Sequence, residues 1–514
     1  MMKHSLVRWG LPLLALAALP AALAQTVAID PATTYQVIRG FGGHNGAGWI
    51  ADLTPAQVDT AFGTGPGQIG LTVMRMRIDP SSTAWATQVP TAKLAKAKGV
   101  TLFATPWTPP PYMKTSNALA HGSLIPSYYP DYATHLLGFA DYMRTNGAPL
   151  YGISVQNEPD WDADYESCTW TSAQFIDFIK SQGPRFAGLR LMAPESLGMR
   201  KALSDPILND AGAAAQLSIV AGHLYGTTPS DYPLARAKGK EVWMTEHYTD
   251  STSDANDWAK AMPVALEVHR SMAANYSAYV WWYIRRFYGL ITEDGNVSKR
   301  GWIMSQYAKF VRPGYVRIGA TQNPYPDVYV TAYKSSDGKV VVVAVNNGTA
   351  QRRVDLTFGS GAPRTLQRYV TSAATNESYA GDYPVIAGGA SADLEPSSVS
   401  TFVSQPTVAD LSGSVRIAQS GLTANRFTGQ FSGTVSFTNT TGATLAASTL
   451  RLVVDGLTPG VTLDNKQGDV NGVPYITLPV NQIAPGATVT VTTTFGNPSR
   501  GTIAYTPKLQ GITF

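Results

Sequence analysis

The stretch YGISVQNEPDW, residues 151–161, begins as an apolar β-strand and ends in an amide, a carboxylic acid and an indole. These three groups are Asn157, Glu158 and Trp161, and they come where the segment leaves its predicted core. In β/α barrels the functional side chains gather at the C-terminal ends of otherwise apolar strands. The segment therefore predicts one strand of such a barrel.

Seven more segments have the same character and are separated by amphipathic stretches such as DYATHLLGFADYMRTNG. They are VIRGFGG from residue 37, VMRMRID from 73, TLFATPW from 101, RLMAPE from 190, SIVAGHLY from 218, EVWMTEH from 241 and AYVWWYI from 278. The reactive or aromatic groups at their ends are Asp79, Trp107, Glu195, His223, Tyr225, Glu246, Arg285 and Arg286. Eight strands alternating with helices over about 250 residues predict an α/β fold, the eight-stranded β/α barrel.

The N-terminus predicts export. Lys3 and Arg8 precede an apolar run that ends in the small-residue pattern of Ala22 to Ala24. This pattern is typical of a signal peptide over residues 1–24 that is cleaved during secretion to the periplasm or the medium. The apolar run contains two prolines and is shorter than the roughly 20 residues that a membrane span needs, so we expect no membrane association after cleavage.

The remaining segments predict two further β-domains. The hairpin-like run VYVTAYKSSDGKVVVVAVNNGT turns at Asp337 and Gly338, and short Thr/Val strands with Gly, Pro and Asn turns fill the C-terminal part. The second pattern is typical of an immunoglobulin-like β-sandwich. The predicted units are a strand at 25–38 that joins the first β-domain, a barrel at 39–311, that β-domain at 312–404, a linker at 405–409 and a sandwich at 410–514.

Charge and residue usage exclude several function classes. The formal net charge is +4 and falls by two when Lys3 and Arg8 are removed, so the chain lacks the basic surface of nucleic-acid binders. The single cysteine, Cys168, cannot form an internal disulfide. His223 and His247 have no H-x-x-x-H spacing, and we expect them to orient neighbouring groups instead of binding a metal. We expect a monomer without a cofactor.

Two glutamates are placed to work as a pair. Glu158 and Glu246 are 88 residues apart, which at roughly 31 residues per strand–helix unit puts them on the fourth and seventh strands, opposite each other across the barrel mouth. Paired carboxylates on either side of a glycosidic bond are the machinery of most glycoside hydrolases, and Asn157 could hold the sugar 2-hydroxyl. The alternative is that the glutamates are only salt-bridge partners. The aromatic candidates for stacking on sugar rings are Trp107, Trp161, Tyr225 and Tyr248.

Six motifs carry a family resemblance over residues 38 to about 403. They are GFGGHNGAGWIADL, TPWTPPPYMKT, SVQNEPDW, GHLYG, WMTEHYTDS and WWYIRRFYGLITEDGNVSKRGWIMSQYAKFVRPGYVRI. Together they resemble glycoside hydrolase family 30, and the last is similar to its bacterial glucuronoxylanase subfamily. The resemblance implies hydrolysis with retention of configuration, with Glu158 as acid/base and Glu246 as nucleophile.

The resemblance also implies a substrate. It points to endo-cleavage of β-1,4-xylan at positions set by glucuronic acid branches, with Ser251, Arg286 and Tyr288 matching the residues that hold the branch. The alternative for Arg286 is an ion pair with Glu293 or Asp294. The loops MRIDPSSTAWATQVP and PESLGMRKALSD depart from the subfamily pattern, which leaves the subsites less defined.

Other activities stay open at the level of sequence. The same barrel could serve a β-1,6-glucanase or a glucosylceramidase, although neither needs the RRFY motif after the eighth strand. A non-catalytic carbohydrate-binding protein would have no use for two opposed carboxylates. All eleven tryptophans precede residue 303, so the sandwich lacks the usual aromatic platforms of a sugar-binding module and is predicted to be a spacer.

Overall fold

The computed structural model describes residues 24–359 and 361–514, so the predicted signal peptide lies almost entirely outside the described residues. After an N-terminal strand, β1 (Gln25–Val37), eight parallel strands pair in chain order and close into a barrel, which confirms the predicted fold. The barrel strands are β2 (Gly40–Asn45), β3 (Val73–Ile78), β4 (Thr101–Pro106), β5 (Gly152–Ser154), β6 (Arg190–Ser196), β7 (Ile219–His223), β8 (Glu241–Glu246) and β9 (Ala278–Tyr283).

The helices pack outside the barrel because each buries one face. In α4, Phe175, Phe178 and Ile179 share the buried face at helical spacing, and Thr171 caps the helix N-terminus by accepting a hydrogen bond from the backbone N–H of Gln174. The helices are α1 (Pro55–Phe62), α2 (Val89–Ala97), α3 (Tyr129–Thr145), α4 (Ser172–Gln182), α5 (Lys201–Asn209), α6 (Ala211–Gln216), α7 (Pro233–Ala237), α8 (Trp258–Ala273) and α9 (Lys299–Ala308).

The lower interior of the barrel is filled with apolar side chains, as inward-pointing residues of a barrel stack in layers. We call this set the apolar layer; it consists of Val73, Phe103, Met192, Ile219, Ala221, Trp243, Ala278 and Val280. All eight are buried to 1% exposure or less. The layer closes the barrel from below, so a ligand can approach only from the C-terminal ends of the strands.

A nine-stranded sheet lies beside the barrel. It has the order β15-β14-β17-β12-β11-β10-β1-β13-β16, and β1 pairs antiparallel with β10 and parallel with β13. The predicted hairpin at Asp337 and Gly338 joins β11 to β12. The strands are β10 (Val316–Ala320), β11 (Val328–Lys334), β12 (Val340–Asn346), β13 (Arg352–Phe358), β14 (Thr365–Ser372), β15 (Ser378–Pro384), β16 (Gly389–Leu394) and β17 (Ser398–Ser404).

The C-terminal domain is a β-sandwich, as predicted, with the sheets β18-β29-β23-β26-β25 and β19-β21-β28-β24. Its first strand pairs with its last, so only Gln405 and Pro406 connect the domains, and the predicted linker at 405–409 was too long. The strands are β18 (Thr407–Asp410), β19 (Val415–Gln419), β20 (Thr423–Ala424), β21 (Gln430–Asn439), β22 (Leu445–Ala446), β23 (Thr449–Asp455), β24 (Thr462–Leu463), β25 (Gly468–Val470), β26 (Val473–Thr477), β27 (Gln482–Ile483), β28 (Thr488–Gly496) and β29 (Thr506–Thr513).

Among the described residues, no helix combines the length and apolar character needed to cross a membrane.

Candidate active site

The C-terminal ends of the barrel strands surround a cleft with a volume of about 530 Å³. Its lining is mostly aromatic and contains both predicted glutamates. The lining residues are Trp49, Trp107, Glu158, Trp161, Tyr165, Glu166, Leu197, Tyr225, Glu246, Tyr248, Trp282 and Tyr283. A cleft of this composition offers flat apolar surfaces around a small number of acidic groups, as expected for a carbohydrate site.

Glu158 follows the fourth barrel strand in a conformation that side chains seldom adopt. Strand β5 ends at Ser154, and the chain then bends so that Glu158 has a φ angle of 42°, in the left-handed region. Neighbouring strands hold this bend, because the Glu158 N–H donates to the Glu195 carbonyl at 3.0 Å and the Asn157 N–H donates to the Pro106 carbonyl at 2.9 Å. Strained backbone of this kind persists only where the surroundings fix it, and it concentrates at functional sites.

Glu158 and Glu246 face each other at short range. One carboxylate oxygen of Glu158 and one of Glu246 lie no more than 4.8 Å apart. Glu246 ends the seventh strand, where its Oε1 accepts a hydrogen bond from the Tyr225 hydroxyl at 2.9 Å. Glu158 contacts the His223 Nδ1 through Oε1 at 2.9 Å and the Tyr165 hydroxyl through Oε2 at 3.4 Å. Each carboxylate is therefore held by partners of its own.

Arg75, on the second barrel strand, links Glu246 to Asn157, the neighbour of Glu158, and the sequence pattern did not single it out. Its guanidinium is fully buried and donates to Glu246 Oε2 at 2.5 Å and to Asn157 Oδ1 at 2.7 Å. The same group lies 3.0 Å from Glu195 Oε1 and 4.5 Å from the Trp107 ring centroid. The available signal was the alternation of arginine with apolar residues in VMRMRI, which points charged side chains into the barrel.

We call Arg75, Glu158, Glu195, His223 and Glu246 the charged cluster. All five side chains are buried, with the largest exposed fraction 6% at Glu246. With Arg75 and His223 as cations and all three glutamates ionised, the net charge of the cluster would be −1. One additional proton on a carboxylate makes the cluster neutral. Because an uncompensated buried charge is costly, the cluster favours the state with one carboxylate protonated. A general acid needs that protonation state.

Burial and neighbouring charges shift the pKa values inside this cluster. Burial raises the pKa of Glu246, and the charge of Glu158 adds to the rise against the opposing effects of His223 and Arg75. Burial opposes the imidazolium of His223, but the Glu246 charge and the contacts with Glu158 and Glu195 outweigh it and raise the His223 pKa to about 9. Burial also disfavours the Glu195 carboxylate, but Arg75 and His223 outweigh it and hold the Glu195 pKa at about 2.

The three groups Glu158, His223 and Glu246 could also be considered as a metal site, since ligand atoms of all three lie within 4.8 Å of one another. Metal ligation needs a neutral imidazole. With its pKa at about 9, His223 is an imidazolium at neutral pH, and Arg75 already occupies Oε2 of Glu246. The chemistry of this set suits proton transfer and nucleophilic attack better than cation binding.

The second predicted histidine has a different partner. His247 Nδ1 lies 2.8 Å from Glu267 Oε1 on α8, and its ring packs 4.8 Å from that of Tyr225. His247 therefore supports the tyrosine that contacts Glu246.

Cys168 is buried, and burial raises its thiol pKa to about 12, which removes it as a nucleophile at neutral pH.

The predicted aromatic residues all line the cleft, but not equivalently. Trp161 is 48% exposed, whereas Trp107 is 4% exposed and covers Arg75. Trp107 therefore shields the charged cluster as well as bordering the cleft. The lining also contains aromatic residues that the sequence pattern did not single out, namely Trp49, Tyr165, Trp282 and Tyr283.

The three residues matched to branch binding lie beyond the cleft lining. Tyr288 packs against Tyr248 with ring centroids 5.7 Å apart, and Ser251 lies in the loop between β8 and α8. The Arg286 side chain is 38% exposed, and its nearest anionic partner is Glu293, at 3.7 Å. Arg285 extends toward α1, where it donates to the Gln57 side chain at 3.1 Å, and its Nε lies 3.4 Å from Glu293 Oε2.

Comparison with known proteins gives the family. A model described as the glycosyl hydrolase family 30 TIM-barrel domain matches residues 79–268, and a second, described as the family 30 beta sandwich domain, matches residues 314–402. Glucuronoxylanase XynC of Bacillus subtilis (strain 168) is 43% identical over 391 residues, which are 74% of this chain and 92% of that protein. The chain belongs to glycoside hydrolase family 30. It is therefore a glycoside hydrolase.

This family 30 chain is similar to solved structures of xylanases. It is similar to the family 30 subfamily 8 xylanase Xyn30A of Clostridium acetobutylicum, with a TM-score of 0.70 and 40% identity over 74% of this chain and 99% of the other. A family 30 endoxylanase of Clostridium papyrosolvens C71 gives a TM-score of 0.68 and 36% identity over 74% of this chain and 100% of the other. About a quarter of the chain lies outside each alignment.

Proposed function

We propose that this chain is a secreted, retaining endo-β-1,4-xylanase that cleaves glucuronoxylan at positions set by its glucuronic acid branches. The observation that carries the reaction type is the distance of at most 4.8 Å between carboxylate oxygens of Glu158 and Glu246. Retaining glycosidases hold their carboxyl groups about 5 to 5.5 Å apart, whereas inverting enzymes leave about 6.5 to 9.5 Å for a water molecule. A nearest oxygen–oxygen distance within 4.8 Å agrees with the shorter of these carboxyl-group separations and so supports retention.

In the proposed reaction Glu246 attacks the anomeric carbon while Glu158 gives its proton to the departing glycosidic oxygen. Glu158 then takes a proton from water, the water oxygen attacks the same carbon, and Glu246 is released as a carboxylate. Asn157 takes part in binding. Its Oδ1 already accepts from Arg75, which leaves the amide NH₂ to donate to the sugar 2-hydroxyl.

The substrate assignment rests on the relatives and on the exposed guanidinium beside the cleft. A relative at 43% identity carries the name glucuronoxylanase. Arg286 has a solvent-accessible fork of N–H groups, and such a fork binds a carboxylate in a bidentate manner that a neutral sugar cannot exploit. Ser251 and Tyr288 would add hydroxyl groups to the same acid. A glucuronic acid branch would have to displace Glu293, which is 51% exposed and 3.7 Å away.

The discriminating experiment is Arg286→Ala, assayed on glucuronoxylan and on unbranched xylan. A charge-assisted contact contributes about 1.5 to 3 kcal/mol, so we expect kcat/KM on glucuronoxylan to fall roughly 10- to 150-fold. The lower activity on unbranched xylan should hardly change. Equal losses on both polymers would contradict branch recognition.

Glu293→Ala is the matched control for the alternative role of Arg286. If Arg286 served only the ion pair with Glu293, Glu293→Ala would lower activity on both substrates at least as much as Arg286→Ala, because Glu293→Ala also removes the contact with Arg285. Branch recognition predicts that Glu293→Ala leaves activity on glucuronoxylan unchanged or raises it, because loss of Glu293 frees the Arg286 guanidinium. A β-1,6-glucan and a glucosylceramide complete the substrate panel, and cleavage of either in preference to xylan would overturn the proposed substrate.

Secretion is proposed from the N-terminal pattern alone, with Lys3 and Arg8 before an apolar run and a small-residue site. Expression of the full chain in a bacterial host should release a mature protein whose first residue is Gln25. Retention of the protein in the cytoplasm with Met1 intact would contradict the proposal.

A further inference from the structure

Glu195 is a third carboxylate beneath the catalytic pair, and the proposed reaction does not use it. It belongs to the fifth barrel strand and is fully buried. Its φ angle is 61°, in the left-handed region, and its carbonyl accepts the hydrogen bond from the Glu158 N–H. Glu195 is thus a buried acid with a strained backbone, hydrogen-bonded through its carbonyl to the backbone N–H of Glu158. Packing alone does not explain such a residue, because buried acids and strained backbone are both costly.

The carboxylate of Glu195 lies between two cations. Its Oε1 is 3.0 Å from the Arg75 guanidinium and 3.6 Å from Nε2 of His223. The other ring nitrogen of His223, Nδ1, is 2.9 Å from Oε1 of Glu158. The imidazole therefore lies between two carboxylates, with Nδ1 at hydrogen-bond distance from Glu158 at the cleft surface and Nε2 at ion-pair distance from the buried Glu195.

We propose that Glu195 is a positioning residue that acts through His223, holding this ring doubly protonated with Nδ1–H directed at Oε1 of Glu158. The His223 contact on Oε1, at 2.9 Å, is closer than the hydrogen bond that Oε2 accepts from Tyr165 at 3.4 Å, so Oε1 is the better acceptor and the transferable proton of Glu158 sits on Oε2. Oε2 is the oxygen near the Tyr165 hydroxyl, and Tyr165 lines the cleft. The proton is thus presented on the cleft side when Glu158 acts as the acid, and the same oxygen takes up a proton from water when Glu158 acts as the base.

This inference rests on the proposed acid/base role of Glu158, but its first test does not need a substrate. The His223 ring is faced by Glu158, Glu195 and Glu246, and the Arg75 guanidinium contacts the last two of these carboxylates. With ¹⁵N-labelled histidine, NMR of the wild type should show both His223 ring nitrogens protonated at pH 7, with loss of a proton near pH 9. A neutral His223 at pH 7 in the wild type would overturn the proposal.

In Glu195→Gln the anion is removed while the size and shape of the side chain are kept. We expect the His223 titration to move down by at least one pH unit, a tenfold or larger loss of proton affinity. Glu377→Gln is the control, because Glu377 forms a buried ion pair with Lys309 and neither residue belongs to the charged cluster. This variant should leave the His223 titration unchanged. An unchanged titration in Glu195→Gln would contradict the proposal.

Kinetics then separate positioning from a structural role. In Glu195→Gln we expect kcat on glucuronoxylan to fall about 10- to 100-fold with KM little changed. This loss is smaller than the whole contribution of general acid catalysis, because Glu158 itself is still present. A dinitrophenyl β-xyloside needs no proton for its leaving group, so its glycosylation step should be nearly unaffected. Equal losses on both substrates would indicate a structural role.

One further variant and two further results keep the outcomes distinct. If Glu195→Gln does not fold, Glu195→Asp keeps the negative charge and should retain His223 protonation at pH 7. If the wild type shows the expected His223 titration but cleaves no xylan, the proposed substrate fails while the positioning role stands. If the wild type cleaves xylan but its His223 is neutral, the positioning role fails while the proposed substrate stands.

Discussion

The lower and upper halves of the barrel interior are built from the same strands and have opposite chemistry. On the second strand Val73 belongs to the apolar layer and Arg75, two residues further on, belongs to the charged cluster. On the seventh strand the corresponding pair is Trp243 and Glu246. The two halves are equally buried, so burial by itself does not distinguish the part that holds the fold together from the part that performs chemistry.

The difference lies in how each half satisfies its side chains. Residues of the apolar layer need only close packing, whereas each member of the charged cluster needs a partner of opposite charge. In this barrel Arg75 contacts Glu195 and Glu246, and His223 contacts Glu158 and Glu195. Removing one member leaves its partners buried and uncompensated. Substitutions in the two halves should therefore affect different measurable quantities.

Glu246→Gln should have the strongest effect on activity. Loss of the nucleophile should lower kcat on glucuronoxylan on the order of 10⁴- to 10⁶-fold, the range found when a member of a covalent catalytic set is removed. Initial rates and the anomeric configuration of the wild-type product, followed by NMR, give the measurement. Products of inverted configuration from the wild type would contradict the role of Glu246.

Glu158→Gln should have the next strongest effect, because it removes the proton donor and keeps the nucleophile. Xylan hydrolysis should fall about 10²- to 10⁴-fold, the contribution of general acid–base catalysis. An activated aryl β-xyloside should be cleaved with partial recovery when azide is added, since azide needs no general base to attack the glycosyl–enzyme. Near-normal xylan hydrolysis by Glu158→Gln would show that another group donates the proton.

Ile219→Ala tests the other half of the barrel interior, because Ile219 lies in the apolar layer on the same strand as His223. We expect the free energy of unfolding to fall by about 2 to 5 kcal/mol, since the substitution leaves a cavity in a packed core. The kcat of the folded fraction should stay close to that of the wild type. Urea unfolding and kinetics at a temperature where the variant is folded give both values, and a large kcat loss would erase the distinction between the two halves.

A weaker effect is expected on the pH dependence of stability. The folded-state pKa of His223, about 9, lies above its unfolded value of roughly 6.5. Its protonation therefore stabilises the fold fully below pH 6.5, and this contribution is lost as the pH rises toward 9. The difference in unfolding free energy between the wild type and His223→Asn should shrink between pH 6 and pH 9. A difference that does not change with pH would mean that His223 is not charged in the folded protein.

Several features could be read from local patterns because they repeat along the chain. The eight apolar runs and the helical stretches between them predicted the barrel, and the hairpin at Asp337 and Gly338 was recognisable from its turn residues. The spacing between Glu158 and Glu246 predicted the fourth and seventh strands, where the structure has them. The predicted linker at 405–409 was too long, because Thr407 begins a strand that pairs with the distant residue Thr513.

The charged cluster was only partly predictable. Arg75 looks like any charged residue in a strand until the barrel closes and brings it within 2.5 Å of Glu246, a residue 171 positions away in the chain. Tyr165 carries no such signal in the sequence because it lies in a loop, where no periodic pattern indicates which way a side chain points. Glu195 was visible as a polar strand end, but its contacts with Arg75 and His223 depend on three different strands.

Periodic burial and strand spacing are local properties of a chain, so the order of amino acids was enough to predict the barrel, the two β-domains and the pair of opposed glutamates. The folded arrangement was needed to establish which buried charges meet, which ring nitrogen of His223 faces Glu158, and which of the two adjacent arginines stays exposed beside the cleft. Those outcomes depend on distances of a few ångströms between residues far apart in sequence. In a buried site, such distances fix the charge of each group and hence its chemistry.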